Sequence, residues 1–110
     1  YIAQPTQMQI KDNALHILGL YGKTIELNRI RQINLSDAIP EILFRNNGLG
    51  LGSIKKGYFE LKDVGRCSLY LNGSYTPYLH LQTYDGEIII FNNKDEESIL
   101  HIYNEIRKRV

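Results

Sequence analysis

Between residues 7 and 91 the sequence is a succession of short runs in which polar and apolar residues alternate. Turn-forming residues interrupt these runs at intervals of roughly ten residues, a spacing typical of small antiparallel sandwiches and barrels. Alternation puts every second side chain on one side of a strand, so Met8 and Ile10 are expected to share an inner face with Leu15 and Ile17. This pattern predicts a mainly β domain of about seven or eight antiparallel strands.

The spacing of the apolar residues changes in the last part of the chain. Apolar residues recur there every three or four positions, at Ile99, Ile102, Tyr103, Ile106 and Val110. Such spacing places them on one side of a helix. Asn93 or Asp95 is placed to cap the helix, and acidic residues in the first turn and basic residues in the last complement the helix dipole. We therefore predict one C-terminal α-helix that lies across the sheet and closes it.

Length, charge and cysteine content limit the remaining choices. The chain has 110 residues, one cysteine and a net charge of +1, so we predict one domain over residues 7–110, a flank over residues 1–6 and no internal disulfide. Because Tyr1 is not a methionine, we expect that the chain was trimmed from a longer protein. The near-neutral charge disfavours nucleic acid as a partner, and no apolar run reaches the ~20 residues of a membrane helix. We expect a location in the cytoplasm or on the cytoplasmic face of a membrane.

The segment of residues 45–57 is the least regular part of the sequence, and it carries glycine at positions 48, 50 and 52. A phosphate-binding loop needs such glycines between a strand and a helix, with a lysine after the last glycine. Here the following residues alternate like a strand, so nucleotide binding is not expected. We interpret the segment as a mobile loop.

No set of residues in the sequence indicates catalysis or metal binding. His16, His80 and His101 lie on separate predicted elements, which is not the spacing of a metal site. Cys67 lies on the apolar side of a predicted strand, where a thiol behaves as a small hydrophobic group. We therefore expect neither an enzyme, nor a metal site, nor a cofactor.

The second half of the chain contains four motifs in a fixed order. They are Arg-Asn-Asn-Gly at residues 45–48, Gly-Tyr-Phe-Glu-Leu at 57–61, a strand at 65–71 and Thr-Tyr-Asp-Gly at 83–86. In this order they resemble a bacterial pleckstrin-homology-like (PH-like) domain family. The resemblance implies a bent antiparallel barrel or sandwich capped by the C-terminal helix, in proteins often attached to membrane helices or other modules. It implies no catalytic or binding residues.

Tyrosines are the first candidate binding residues. Tyr58, Tyr70 and Tyr78 are predicted on outward strand faces, and Tyr75 lies in a connecting loop. Tyrosine is enriched at interaction surfaces because it combines a large apolar area with a polar tip. Half-buried cross-strand pairing is the alternative interpretation. We predict a non-catalytic binding module that contacts a protein partner or a second copy of itself, with membrane contact through segments outside this chain also open.

Basic residues are the second candidate set. Arg45, Lys55, Lys56 and Arg66 lie near each other in the sequence, within and after the glycine-rich segment. As the alternative function, these four residues would bind a small anion or an anionic lipid at a membrane surface.

Overall fold

The computed structural model describes residues 6–110. Within this range the chain forms nine strands: β1 (Gln7–Lys11), β2 (Ala14–Leu18), β3 (Lys23–Glu26), β4 (Ile30–Ser36), β5 (Ile42–Leu51), β6 (Ile54–Leu61), β7 (Gly65–Asn72), β8 (Tyr78–Thr83) and β9 (Ile88–Phe91). A single 3₁₀ turn, Leu27–Arg29, precedes β4, and helix α1 (Glu96–Arg107) follows β9. The prediction of a mainly β chain with one C-terminal helix is therefore confirmed.

The strands form two sheets. The first contains β1, β2 and β3 in chain order, and the second has the order β4-β8-β9-β7-β6-β5. Strand β9 pairs with β7 in parallel, whereas all other pairs of the described residues are antiparallel. The prediction of purely antiparallel pairing is wrong at this point, because the β8–β9 hairpin folds back so that β9 lies between β8 and β7. The prediction was a barrel or a sandwich; the larger sheet is open, with β4 and β5 at its edges, so the chain forms two sheets and no closed barrel over the described residues.

The segment predicted as a mobile loop forms the long β5–β6 hairpin instead. Gly48 and Gly57 lie opposite each other in this pair. A Cβ atom on Gly48 would lie 2.4 Å from the carbonyl oxygen of Lys56, and Gly57 has a φ of +118°. Here glycine permits the close approach of two paired backbones.

The larger sheet buries apolar side chains on both faces. Its inner face, which carries Tyr70, Ile89 and Phe91, packs in one cluster with side chains of the smaller sheet and α1. Its outer face carries a second cluster that includes Phe59 and Leu69. Apolar side chains are therefore buried on both faces of the strands in the middle of this sheet.

Helix α1 begins and packs as its sequence predicts. The Asp95 carboxylate accepts a hydrogen bond of 3.2 Å from the backbone N–H of Glu97, which caps the first turn. Ile99, Ile102 and Ile106 are buried in the inner cluster. The helix thus closes the inner face of the larger sheet.

Lys23 joins the two sheets through polar contacts. From β3 its ammonium group donates to Glu87 Oε2 at 2.8 Å, Ser68 Oγ at 3.0 Å and Tyr58 Oη at 3.3 Å. The side chains of Lys23 and Glu87 are 19% and 29% exposed, so water only partly screens this ion pair.

We expect Lys23→Met to lower the free energy of unfolding by about 1–3 kcal/mol, because it leaves Glu87 and Ser68 without their donor. Urea denaturation followed by circular dichroism measures the change. Lys108→Met is the matched control, since Lys108 also makes a 2.8 Å ion pair but is 72% exposed, and exposed pairs contribute little. Equal losses in the two variants would contradict the role assigned to Lys23.

Candidate binding groove

The four candidate tyrosines do not form one exposed surface. Tyr70 is buried on the inner face, where its hydroxyl donates to the carbonyl of Tyr21 at 2.6 Å. Tyr78 is buried in the outer cluster, and only Tyr75 is exposed. Tyr58 is half-buried between the two sheets. The prediction that Tyr70 and Tyr78 face solvent is therefore wrong, because both faces of the larger sheet are covered.

The four candidate basic residues are divided between the two faces of the larger sheet. Arg45 and Lys55 lie on the outer face, where both side chains come within 4.0 Å of the position that a Cβ of Gly50 would occupy. Lys56 lies on the inner face beside Tyr70 and is 3% exposed. Its burial lowers the pKa of the ammonium group.

Arg66 lies on the inner face of β7, apart from Arg45 and Lys55. Its guanidinium lies 4.7 Å from the centre of the Tyr58 ring, and the Lys23 ammonium lies 4.9 Å from the same centre. Such geometry is a cation–π contact that holds the aromatic ring in place. The four basic residues thus do not make a single anion site, and only Arg45 and Lys55 remain together.

A groove of about 290 Å³ lies on the outer face of the larger sheet, next to edge strand β4. Polar side chains of two neighbouring strands line it, namely Gln32, Asn34 and Ser36 of β4 and His80 and Gln82 of β8. Ile88 and Ile90 supply apolar surface from β9. Sequence reasoning did not identify this groove.

The connection between β4 and β5 supplies one wall of the groove. These strands lie at opposite edges of the larger sheet, so residues 37–41, which we name the crossing segment, must pass over its outer face. Ile39 packs on the outer cluster, and the carbonyl of Glu41 accepts a hydrogen bond of 2.9 Å from the Lys62 backbone. Pro40 of the crossing segment and Val64 of the β6–β7 turn line the groove.

A short hydrogen-bond chain anchors the start of the crossing segment. The Ser36 hydroxyl donates to the carbonyl of Ala38 at 2.7 Å, and His80 Nε2 lies 2.6 Å from Ser36 Oγ. Ser36 Oγ thus links the Ala38 carbonyl to the His80 imidazole.

Burial lowers the pKa of His80 from its ordinary value of 6.5, although a hydrogen bond to the Ala38 backbone acts in the opposite direction. Below pH 6.5 the unfolded chain therefore takes up a proton that the folded chain holds less well. We expect the stability that neutral His80 contributes to be complete above pH 6.5 and to be lost as the pH falls through the lowered value.

Urea midpoints at pH 7 and pH 5 test this expectation for wild type, His80→Gln and His101→Gln. The fall in midpoint should be smaller in His80→Gln than in wild type. It should be unchanged in His101→Gln, since His101 is exposed on α1. An equal fall in all three proteins would contradict the role of His80.

Cys67 is the one cysteine of the chain, and its thiol is buried. Burial, with the nearby charge of Glu60, raises the pKa of the Cys67 thiol to about 11, so it stays protonated at neutral pH. Over residues 6–110 no three His, Cys, Asp or Glu side chains gather in a way that could hold a metal ion. Within the same residues no helix has the length and apolar character needed to cross a membrane.

No protein-family model, curated protein or solved structure matches the chain.

Proposed function

We propose that this chain is a non-catalytic binding module of PH-like architecture, and that it contacts a protein partner or a second copy of itself. The mainly β scaffold and the helix packed on the larger sheet support this architecture. The order of the motifs at residues 45–48, 57–61 and 83–86 supports it too. The parallel β7–β9 pair and the open sheet are departures from the architecture that the resemblance implies.

One observation carries the binding role, namely the groove beside the edge of β4. Binding sites are commonly concave, with mostly apolar walls and a few placed polar groups. The groove has this composition, with apolar surface from Ile88 and Ile90 next to amide and hydroxyl groups of β4 and β8. An edge strand next to such a groove also offers backbone groups to a partner.

Photo-crosslinking in the host cell tests the binding role. A photoreactive amino acid at position 82 would lie in the groove, and the same amino acid at position 101 would lie on the exposed side of α1. We expect a covalent protein adduct from position 82 and none from position 101. An adduct of twice the chain mass identifies a second copy as the partner. No adduct from position 82, or equal adducts from both positions, would overturn the proposal.

A second candidate function is the binding of an anionic lipid surface through Arg45 and Lys55. These cations lie together on the outer face of the β5–β6 hairpin, and the Lys55 ammonium donates to the carbonyl of Gly52. Leu51, next to the turn, is exposed and can enter a lipid interface.

Sedimentation with vesicles of phosphatidylserine and phosphatidylcholine tests this candidate. We expect binding that weakens with added salt and is lost in the Arg45→Gln, Lys55→Gln double variant. The Lys62→Gln, Lys94→Gln double variant is the charge-matched control and should bind like wild type. Binding that is absent, or equal in both double variants, would exclude this function.

A further inference from the structure

We infer that the groove beside β4 takes an uncharged, extended peptide segment, which adds to the larger sheet as a strand along the β4 edge. The inference rests on the proposed function and names the chemical class of its partner. Four observations support it: the open edge of β4, the spacing of the polar side chains, the charge of the groove and its size.

The first support is the edge itself. Strand β4 is the terminal strand of the larger sheet, and in the described part of the chain it pairs only with β8. The side of an edge strand that has no neighbour presents N–H and C=O groups to which an extended peptide can hydrogen-bond. Strand β4 has seven residues, which is long enough for several such bonds.

The second support is the spacing of the side chains. Gln32, Asn34 and Ser36 occupy alternate positions of β4 on the outer face. Alternate positions in a strand are about 6.8 Å apart, and alternate residues of an added extended peptide have the same repeat. The amide and hydroxyl groups act as both donors and acceptors, so they can contact successive uncharged polar groups of such a peptide.

The third support is charge complementarity. Among the residues that the structure describes, no aspartate, glutamate, lysine or arginine lines the groove. A charged ligand group entering beside Ile88 and Ile90 would lose its hydration without gaining an ionic partner, which is costly. His80 is the one titratable group among the described residues of the lining, and burial lowers its pKa, which favours the uncharged imidazole. The groove therefore favours uncharged ligand residues.

The size of the groove favours a peptide over a bulky rigid ligand. Its volume of about 290 Å³ is just below the range for sites that enclose a small molecule, about 300–1,000 Å³. Such a volume accepts a few side chains, while the rest of the ligand lies along the strand edge. A small neutral molecule that fills the groove without pairing to β4 is the competing outcome of the test.

Selection from a phage-displayed library of random seven-residue peptides, with the full chain as the target, tests the inference. We expect the enriched peptides to be uncharged and to alternate apolar with small polar residues. Affinities of synthetic copies are then measured by fluorescence anisotropy. Asn34→Lys, which places a charge at an exposed position of the groove, should weaken binding roughly tenfold or more.

Two controls isolate the site and the binding mode. Gln9→Lys makes a similar exchange at an exposed position of β1 and should leave the affinity unchanged; circular dichroism checks that both variants fold. N-methylation of alternate peptide amides should abolish binding when the methylated amides face β4, and should have little effect in the other register.

Three results would overturn the inference: no enriched peptide, enriched peptides that carry charge, or affinities that are insensitive to Asn34→Lys or to N-methylation in both registers. The photo-crosslinking experiment separates this failure from that of the proposed function. Adducts from position 82 without peptide binding would retain a protein partner at the groove and exclude an extended peptide. If neither crosslinked adducts from position 82 nor peptide binding were observed, the proposed binding function would be contradicted as well.

Discussion

Replacing Gly48 by alanine is expected to lower the free energy of unfolding by about 3 kcal/mol or more. The added Cβ would lie 2.4 Å from the Lys56 carbonyl oxygen and 3.0 Å from the Gly57 Cα atom. Both contacts are with backbone atoms of the paired strand, so no side-chain rotation relieves them. The β5–β6 pairing must open at this position or shift its register.

Gly50→Ala is the matched control, because Gly50 lies two residues further along the same strand. A Cβ there would meet its nearest neighbours at 3.8–4.0 Å, an ordinary van der Waals separation. We expect a change within about 0.5 kcal/mol, since exchanges without clash or strain have small effects. Urea denaturation followed by circular dichroism measures both variants. Equal stabilities of Gly48→Ala and Gly50→Ala would contradict the close backbone contact at Gly48. The interpretation of residues 45–57 as a mobile loop would then be preferred to the β5–β6 hairpin.

Truncation of Ile99 in α1 is expected to cost about 2–5 kcal/mol. The side chain is 0% exposed and packs in the inner cluster, between the helix and the larger sheet. Removing its outer carbons leaves a cavity that neighbouring side chains fill only in part, so packing is lost in addition to hydrophobic burial.

Leu100→Ala provides the comparison within the same helix. Leu100 is the next residue but is 37% exposed, so its truncation should cost about 1 kcal/mol or less. Thermal and urea denaturation of the two variants give the difference. If Ile99→Ala were no more destabilising than Leu100→Ala, the helix would not cover the sheet in the orientation described.

The burial of Tyr70 and Tyr78 shows what the alternation of polar and apolar residues does not predict. The pattern correctly put Tyr70 on the strand face opposite Cys67. It did not predict that both of those faces are buried. Alternation separates buried from exposed residues only where one face of a sheet meets water. Tyrosine, which is both polar and apolar, fits either environment.

Only one side of the candidate groove corresponds to a recognisable pattern in the sequence. The uncharged polar residues Gln32, Asn34 and Ser36 alternate along one short strand, which is compatible with any solvent-facing edge. Their conversion into one side of a groove depends on the crossing segment that follows β4, and on β8 and β9, which come from other parts of the chain. No local pattern predicts that these segments meet, because pairing between distant strands is decided by the packing of the whole sheet.

The amino-acid sequence by itself determined the type of most elements, including the β1–β2 strands and the capped helix that begins after Asp95. These features depend on periodicity and on residues within a few positions of each other. Only the tertiary structure decided the position of β9 between β8 and β7, the burial of Tyr70 and Tyr78 on opposite faces, and the groove beside β4. The physical reason is that side-chain alternation records which residues share a face of a strand, whereas the partner of that face is chosen by contacts between segments far apart in the chain.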